Sequence, residues 1–220
     1  MSILRTKHII FDFDGTVVDS YHAVLLGVQT VLSELLNRPI LLDELKKNYS
    51  PHLPELLQNF NIPQSDLALT KRLARRWSEL ALEMEFDYVL FPGILESFVQ
   101  LRQLGATIYL WTARDRASTV KILENFNLKN HFTDFRCGDD TATKPSPDGI
   151  SAMVGHISKD DVVVIGDSHM DILGAKNFGC RSIAALWCQG ADRETVLRHS
   201  PDFFANTPLE CLEIIRGMYV

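Results

Sequence analysis

The run from Lys7 to Phe13 is the most constraining stretch of this sequence. Ile9, Ile10, Phe11 and Phe13 leave it almost without a polar face. A strand of that kind needs cover on both sides, as in a parallel sheet. It ends at Asp14-Gly15-Thr16, a turn signal. Comparable strands are predicted at Thr107–Trp111, Phe132–Cys137, Val162–Ile165, Arg181–Leu186 and Asp202–Ala205. Helical spacing falls between and after them, at Ile94–Leu104, Ala117–Phe126, Pro147–His156, Ile172–Phe178, Glu194–His199 and Leu209–Arg216. This alternation predicts an α/β fold, a Rossmann-like parallel sheet with helices on both faces.

One block breaks the alternation. Tyr21, Val24, Leu25, Val28, Val31, Leu32 and Leu35 recur at helical spacing, and Asn37-Arg38-Pro39 stops that helix. Leu53–Phe60 reads as a short helix and Leu67–Met84 as a longer one. The predicted organisation is a core of residues 1–16 and 88–220, with residues 17–87 inserted after the first strand as a small all-helical domain.

The composition is that of an ordinary folded domain. Of 220 residues, 46% are hydrophobic and 23% charged, which excludes a disordered chain. Lys and Arg number 22 against 28 Asp and Glu, a net charge of −6 that argues against nucleic-acid or anionic-membrane partners. No apolar run approaches the ~18 residues of a membrane span. Asp12 and Asp14 arrive before any signal-peptide pattern develops. Cys137, Cys180, Cys188 and Cys211 form no CxxC pair and no metal-ligand spacing with His. They read as apolar fillers of a protein in a reducing, cytoplasmic compartment.

In open parallel sheets, sites lie at the carboxyl ends of the strands. The first strand is followed by Asp12, Asp14, Gly15 and Thr16, and Thr107–Trp111 by Thr112, Ala113 and Arg114. Val162–Ile165 leads into Gly166, Asp167, Ser168 and Asp171, and Lys144 precedes Pro145 in a polar loop. Carboxylates converging on one edge repel, and a hard cation relieves them. Mg²⁺ suits one or two carboxylates together with water and phosphate oxygens. Thr112, Lys144 and turn amides near Gly15 and Ala113 are donors for a phosphate. A carboxylate in line with that phosphorus can act as nucleophile. A second acid two residues on can protonate the leaving oxygen and then activate water.

These residues carry a resemblance. The segments Phe11-Asp-Phe-Asp-Gly-Thr-Val-Val-Asp-Ser20, Leu110-Trp-Thr112, Lys144-Pro-Ser-Pro-Asp148 and Val164-Ile-Gly-Asp167-Ser-His-Met-Asp171 resemble the four ordered motifs of haloacid dehalogenase-like hydrolases. The similarity spans nearly the whole chain, and the helical insertion resembles that family's small cap. The resemblance implies that Asp12 is the nucleophile and a Mg²⁺ ligand. Asp14 would be the general acid/base, lending its carbonyl to the metal. Thr112 and Lys144 would bind phosphate, Asp167 would ligate Mg²⁺, and Asp171 would support the site. Ala113 stands where the family usually has Asn.

Branches of that family differ at readable positions. Dehalogenases lack the second acid, and phosphonatases replace it with a small residue, whereas this chain keeps Asp14. Similar sugar phosphomutases carry a cap His at the position of Val24 and an Arg in the cap loop, yet this chain has no Arg between Arg38 and Arg72. The resemblance therefore implies a phosphatase of the phosphoglycolate phosphatase-like branch, acting on a small phosphorylated metabolite. The alternatives are a phosphomutase of the same fold and a phospho-accepting signalling module. Receiver domains of the latter kind lack both the insertion and the second acid.

Other residues have plainer readings. Taken alone, Thr112 is a helix cap and Lys144 a surface lysine. Asp19 reads as the cap of the first inserted helix. His22 and His169 are lone histidines, and His52 lies in the loop Asn48-Tyr49-Ser50-Pro51-His52, where the family selects substrate. Arg114 and Arg116 either meet an anionic substrate or sit in a solvated first turn. Lys71, Arg72, Arg75 and Arg76 read as the wet face of a helix.

Overall fold

The computed structural model describes residues 7–50, 53–63, 67–83 and 88–218. The chain starts with β1 (His8–Phe11), β2 (Val18–Asp19), α1 (Tyr21–Leu36), α2 (Leu42–Asn48), α3 (Leu53–Asn59) and α4 (Leu67–Glu83). There follow β3 (Val89–Leu90), α5 (Ile94–Gln103), β4 (Thr107–Trp111), α6 (Arg116–Asn125), β5 (Asp134–Arg136) and α7 (Asp148–Val154). The chain closes with β6 (Val162–Gly166), α8 (His169–Phe178), β7 (Arg181–Ala185), α9 (Arg193–Arg198), β8 (Phe203–Ala205) and α10 (Pro208–Gly217).

Six strands form one parallel sheet in the order β5-β4-β1-β6-β7-β8. The unbroken apolar run of β1 follows from its central place. Ile9 and Phe11 enter one layer with Phe98 and Leu101 of α5 and Leu212 and Ile215 of α10. Ile10 enters the opposite layer with Ile150 of α7 and Ala175 and Phe178 of α8. Alternate residues of a strand face opposite sides, so both faces demand apolar side chains. Each such burial contributes roughly 1.5–3 kcal/mol. The expected α/β architecture is therefore present.

The chain divides into two compact units. One takes in the described residues up to Tyr21 and from Tyr88 onward; the other takes in the described residues between His22 and Glu83. The inserted block was expected to begin at residue 17, but Val17–Tyr21 group with the sheet. Val17 and Val18 are fully buried among its apolar residues, and β2 pairs antiparallel with β3. Two-residue strands carry too little pattern to read from sequence. The helical unit also contains α2, which was not expected. Its seven residues bury only Leu45 and have no side-chain N-cap, so the periodic signal is faint. Lys71, Arg72 and Arg75 are exposed, as expected of a wet face, while Arg76 pairs with Glu34 of α1. Among the described residues no helix is long and apolar enough to cross a membrane.

Trp111, the last residue of β4, is 2% exposed and is gripped by two glycines. A Cβ on Gly149 would lie 2.4 Å from its Nε1, and one on Gly174 would lie 2.3 Å from its Cη2. Helix α8 thus gives up about 1 kcal/mol of intrinsic propensity at Gly174 to lie close to the indole. Gly174→Ala should destabilise the fold by about 1–3 kcal/mol despite its better propensity. Adding Trp111→Phe, whose smaller ring makes room, should recover part of that loss. Urea unfolding checks this; a Gly174→Ala protein as stable as the parent would contradict the packing argument.

Candidate active site

The central position of β1 between β4 and β6 brings three strand ends together. Phe11 is in register with both Leu110 and Ile165. The ladder continues one step further, with the Asp12 amide donating to the Ile165 carbonyl at 2.8 Å. The chain then turns sharply. The Phe13 carbonyl accepts from the amides of Thr16, Val17 and Val18, and Phe13 itself is fully buried. Asp12 and Asp14 therefore flank a core residue, and the Asp14 charge acts on Asp12.

Gly15 makes this turn possible. Its φ is +78°, and a Cβ there would lie 2.1 Å from Asp167 Oδ2. Only glycine allows both the backbone angle and the carboxylate. The Gly15 amide, expected as a phosphate donor, donates instead to the Val18 carbonyl at 2.8 Å. Gly15 shapes the loop and admits Asp167.

Lys144 is the hub of the cluster. Its Nζ lies 2.5 Å from Asp12 Oδ1 and 2.5 Å from Asp171 Oδ1, with only 6% of the side chain exposed. The ammonium also sits 4.6 Å from the Trp111 ring centroid, a cation–π contact. Asp171 is fully buried and accepts from the Ser168 amide and hydroxyl, capping α8. It thus serves the helix and the cluster together. Thr112 is buried; its hydroxyl accepts from the Arg114 amide at 3.1 Å, which leaves the O–H to donate. Ala113 beside it is exposed.

Oxygen atoms of Asp12, Asp167 and Asp171 lie within 4.8 Å of one another. Burial pushes the Asp12 carboxyl up to about 7, with Lys144 opposing and Asp171 and Asp14 reinforcing the rise. Burial, then Asp12 and Asp171, raises Asp167 well above its ordinary value. Burial would lower the Lys144 ammonium, but Asp12 and Asp171 outweigh it and raise it. If all three carboxylates ionised, one ammonium would leave negative charge uncompensated, and every candidate ligand is a hard oxygen. That donor set fits a hard divalent cation.

Asp14 belongs to a separate pair. Arg114 Nη2 donates to its Oδ1 at 2.6 Å, and Nε donates to its Oδ2 at 2.9 Å. Burial would raise the Asp14 carboxyl, but the Arg114 charge and hydrogen bonds, with Ser20, hold it below its ordinary value. Arg114 is not in a solvated first turn. Its side chain is 3% exposed and its guanidinium lies 5.4 Å from the Tyr88 ring centroid. The signal in the sequence was an arginine just past Thr112, beside the unusual Ala113. Arg116 pairs with Asp140 and covers the Phe135 ring.

The remaining candidates lie elsewhere. Asp19 accepts from the Tyr21 amide at the start of α1, a capping role. His22 is exposed, and His169 stacks on His199 at 5.1 Å. His52 lies outside the described residues. All four cysteines are unpaired thiols; burial first of all pushes Cys137, Cys180 and Cys188 up to about 12 and Cys211 higher.

Residues 9–185 match the family described as haloacid dehalogenase-like hydrolase. The chain belongs to this family. Among curated relatives, a phosphoglycolate phosphatase of Vibrio parahaemolyticus is 26% identical over 95% of this chain and 96% of its own. A Caldanaerobacter subterraneus protein named "Putative pyrophosphatase PpaX" is 24% identical over 97% of this chain and 96% of its own. Among solved structures, a haloacid dehalogenase-like family protein from Streptococcus pneumoniae superposes with a TM-score of 0.79 at 22% identity, covering 96% of this chain and 98% of that one. The resemblance read from the four motifs is thereby confirmed, and by similarity the chain falls beside the phosphoglycolate phosphatase-like branch of the haloacid dehalogenase-like hydrolases.

The carboxylate cluster makes a testable demand on stability. Between its ordinary value and about 7, Asp12 holds a proton in the folded protein that the unfolded chain releases. Stability should therefore fall as pH rises through that window. A divalent cation should abolish the fall by favouring the ionised carboxylate. Urea midpoints at pH 5 and pH 8, with chelator and with Mg²⁺, check this. A pH dependence unchanged by the cation would contradict it.

Proposed function

We propose that this chain is a phosphatase that hydrolyses a small phosphomonoester in two steps through Asp12. The observation that carries this reading is the bridge from Lys144 to Asp12, two residues before an acid held by a different cation. The relatives named for phosphatase activity support the reaction class.

In the first step an Asp12 oxygen attacks phosphorus and the bond to the leaving oxygen breaks. Asp14 enters this step with the proton it took from water in the preceding turnover and gives it to that oxygen, releasing an alcohol. In the second step Asp14 takes a proton from water, whose oxygen attacks the same phosphorus. The bond to Asp12 breaks, freeing phosphate and restoring the carboxylate. Lys144 holds Asp12 in one orientation and, with the Thr112 hydroxyl, supplies donors to phosphate oxygens. Asp12 and Asp167, with the Asp14 carbonyl, would hold Mg²⁺, which supplies charge neutralisation of the phosphate when bound. Asp171 keeps Lys144 and the start of α8 in place.

We assign the helical unit, residues 22–87, the role of a cap that selects the substrate, with the segment 48–53 as its selecting loop. The four reduced cysteines suit a cytoplasmic setting. Phosphoglycolate, pyrophosphate and sugar phosphates form the first substrate screen.

Two substitutions separate the acids. Asp12→Asn keeps the size but removes the attacking charge, so activity should be lost and no burst should form with an aryl phosphate. Asp14→Asn leaves Asp12 able to attack. It should lower turnover about 10²–10⁴-fold and show a burst followed by a slow steady state, because water is no longer activated. Rapid-quench kinetics reads both; a burst surviving Asp12→Asn would overturn the assignment. Chelator should abolish hydrolysis and Mg²⁺ restore it, and full activity in chelator would sink the metal assignment.

A further inference from the structure

We propose that Arg114 is a positioning residue that aims Asp14 at the leaving oxygen and keeps it apart from the Lys144 cluster. The proposal rests on the reading of Asp14 as acid/base. The observation is a fork. Nη2 and Nε of one guanidinium engage the two oxygens of one carboxylate, which fixes the carboxylate plane as well as its position.

Arg114 is itself fixed at several points. Its amide donates to the Thr112 hydroxyl, its carbonyl accepts from the Gly138 amide, and Tyr88 covers the guanidinium. The loop that carries the proposed phosphate donor therefore also carries the clamp on the acid.

The pair is poorly built as a purely stabilising contact. Withdrawing a guanidinium from water costs several kcal/mol, and one buried ion pair recovers little of that beyond break-even. Arg114 Nη1 is buried and has no hydrogen-bond acceptor among the described residues. The exposure within the pair is also unequal: 3% of the arginine side chain against 28% of the aspartate. The cation is sealed while the acid keeps an open face.

The arrangement solves a problem that the sequence creates. Asp12 and Asp14 are two residues apart in the chain, with Lys144 nearby. An unclamped Asp14 could swing to that ammonium and compete with Asp12 for it. With its own cation, Asp14 is held as one rotamer while part of its side chain stays open. Displacing an acid by about 1 Å from its reacting partner can cost on the order of 100-fold in rate.

The test is a double-mutant cycle on Arg114 and Asp14, read by rapid quench with a nitrophenyl phosphate and by steady state with an alkyl phosphate. Arg114→Met should keep the burst and lower steady-state turnover about 10- to 100-fold. The loss should be greater on the alkyl phosphate, whose leaving oxygen needs the proton more. Arg114→Lys should recover only part of it, since an ammonium cannot fork. In the Asp14→Asn background, Arg114→Met should add no more than about two-fold, because the two act as one unit. A loss in that background equal to the loss in the parent would overturn the proposal, as would unchanged turnover in Arg114→Met. Should Arg114→Met not fold, Arg114→Lys carries the same cycle. Failure of the underlying reading looks different: Asp14→Asn would then show parental turnover with Arg114 intact.

Discussion

The ammonium of Lys144, lodged between Asp12 and Asp171 and resting on the face of Trp111, is the interaction on which the rest of the site depends. Buried carboxylates at a sheet edge are tolerable only when each has a partner. Asp171 ties the ammonium to the first turn of α8, and Trp111 ties it to the end of β4. Gly149 and Gly174 exist as glycines because that indole must fit between two helices. A single cation thus couples the packing of α7 and α8 to the orientation of the proposed nucleophile.

Two acids two residues apart stand in different surroundings here. The structure separates them by partner. Asp12 shares a cation with a second carboxylate and stays high, at about 7. Asp14 has a cation to itself and stays below its ordinary value. The positive φ of Gly15 turns the chain just after both so that Asp167 can close in from β6.

Much of this was legible in the sequence because the signals were long or strict. The apolar run of β1 announced a strand covered on both faces, strand ends pointed to Asp12, Asp14, Thr112 and Asp167, and a polar loop added Lys144. Features that depend on tertiary contact were not legible. Nothing in Leu110-Trp111-Thr112 shows that the indole will bear a lysine thirty-three residues later. Arg114 read equally well as solvated, because its partner lies a hundred residues away in the chain. The Gly15 amide looked available because the return of the chain to Val18 rests on a two-residue strand. Helix α2 and the β2–β3 ribbon were missed because a few residues carry too few periods to stand out.

We assign Asp12 to carry the phosphoryl group between substrate and water. The most direct measurement is to quench turnover in acid, reduce the protein with borohydride and map the product by mass spectrometry. An acyl phosphate on an aspartate is reduced to homoserine, so the account predicts homoserine at position 12 and at no other acid. Homoserine at Asp14, Asp167 or Asp171, or none under conditions of rapid turnover, would contradict it.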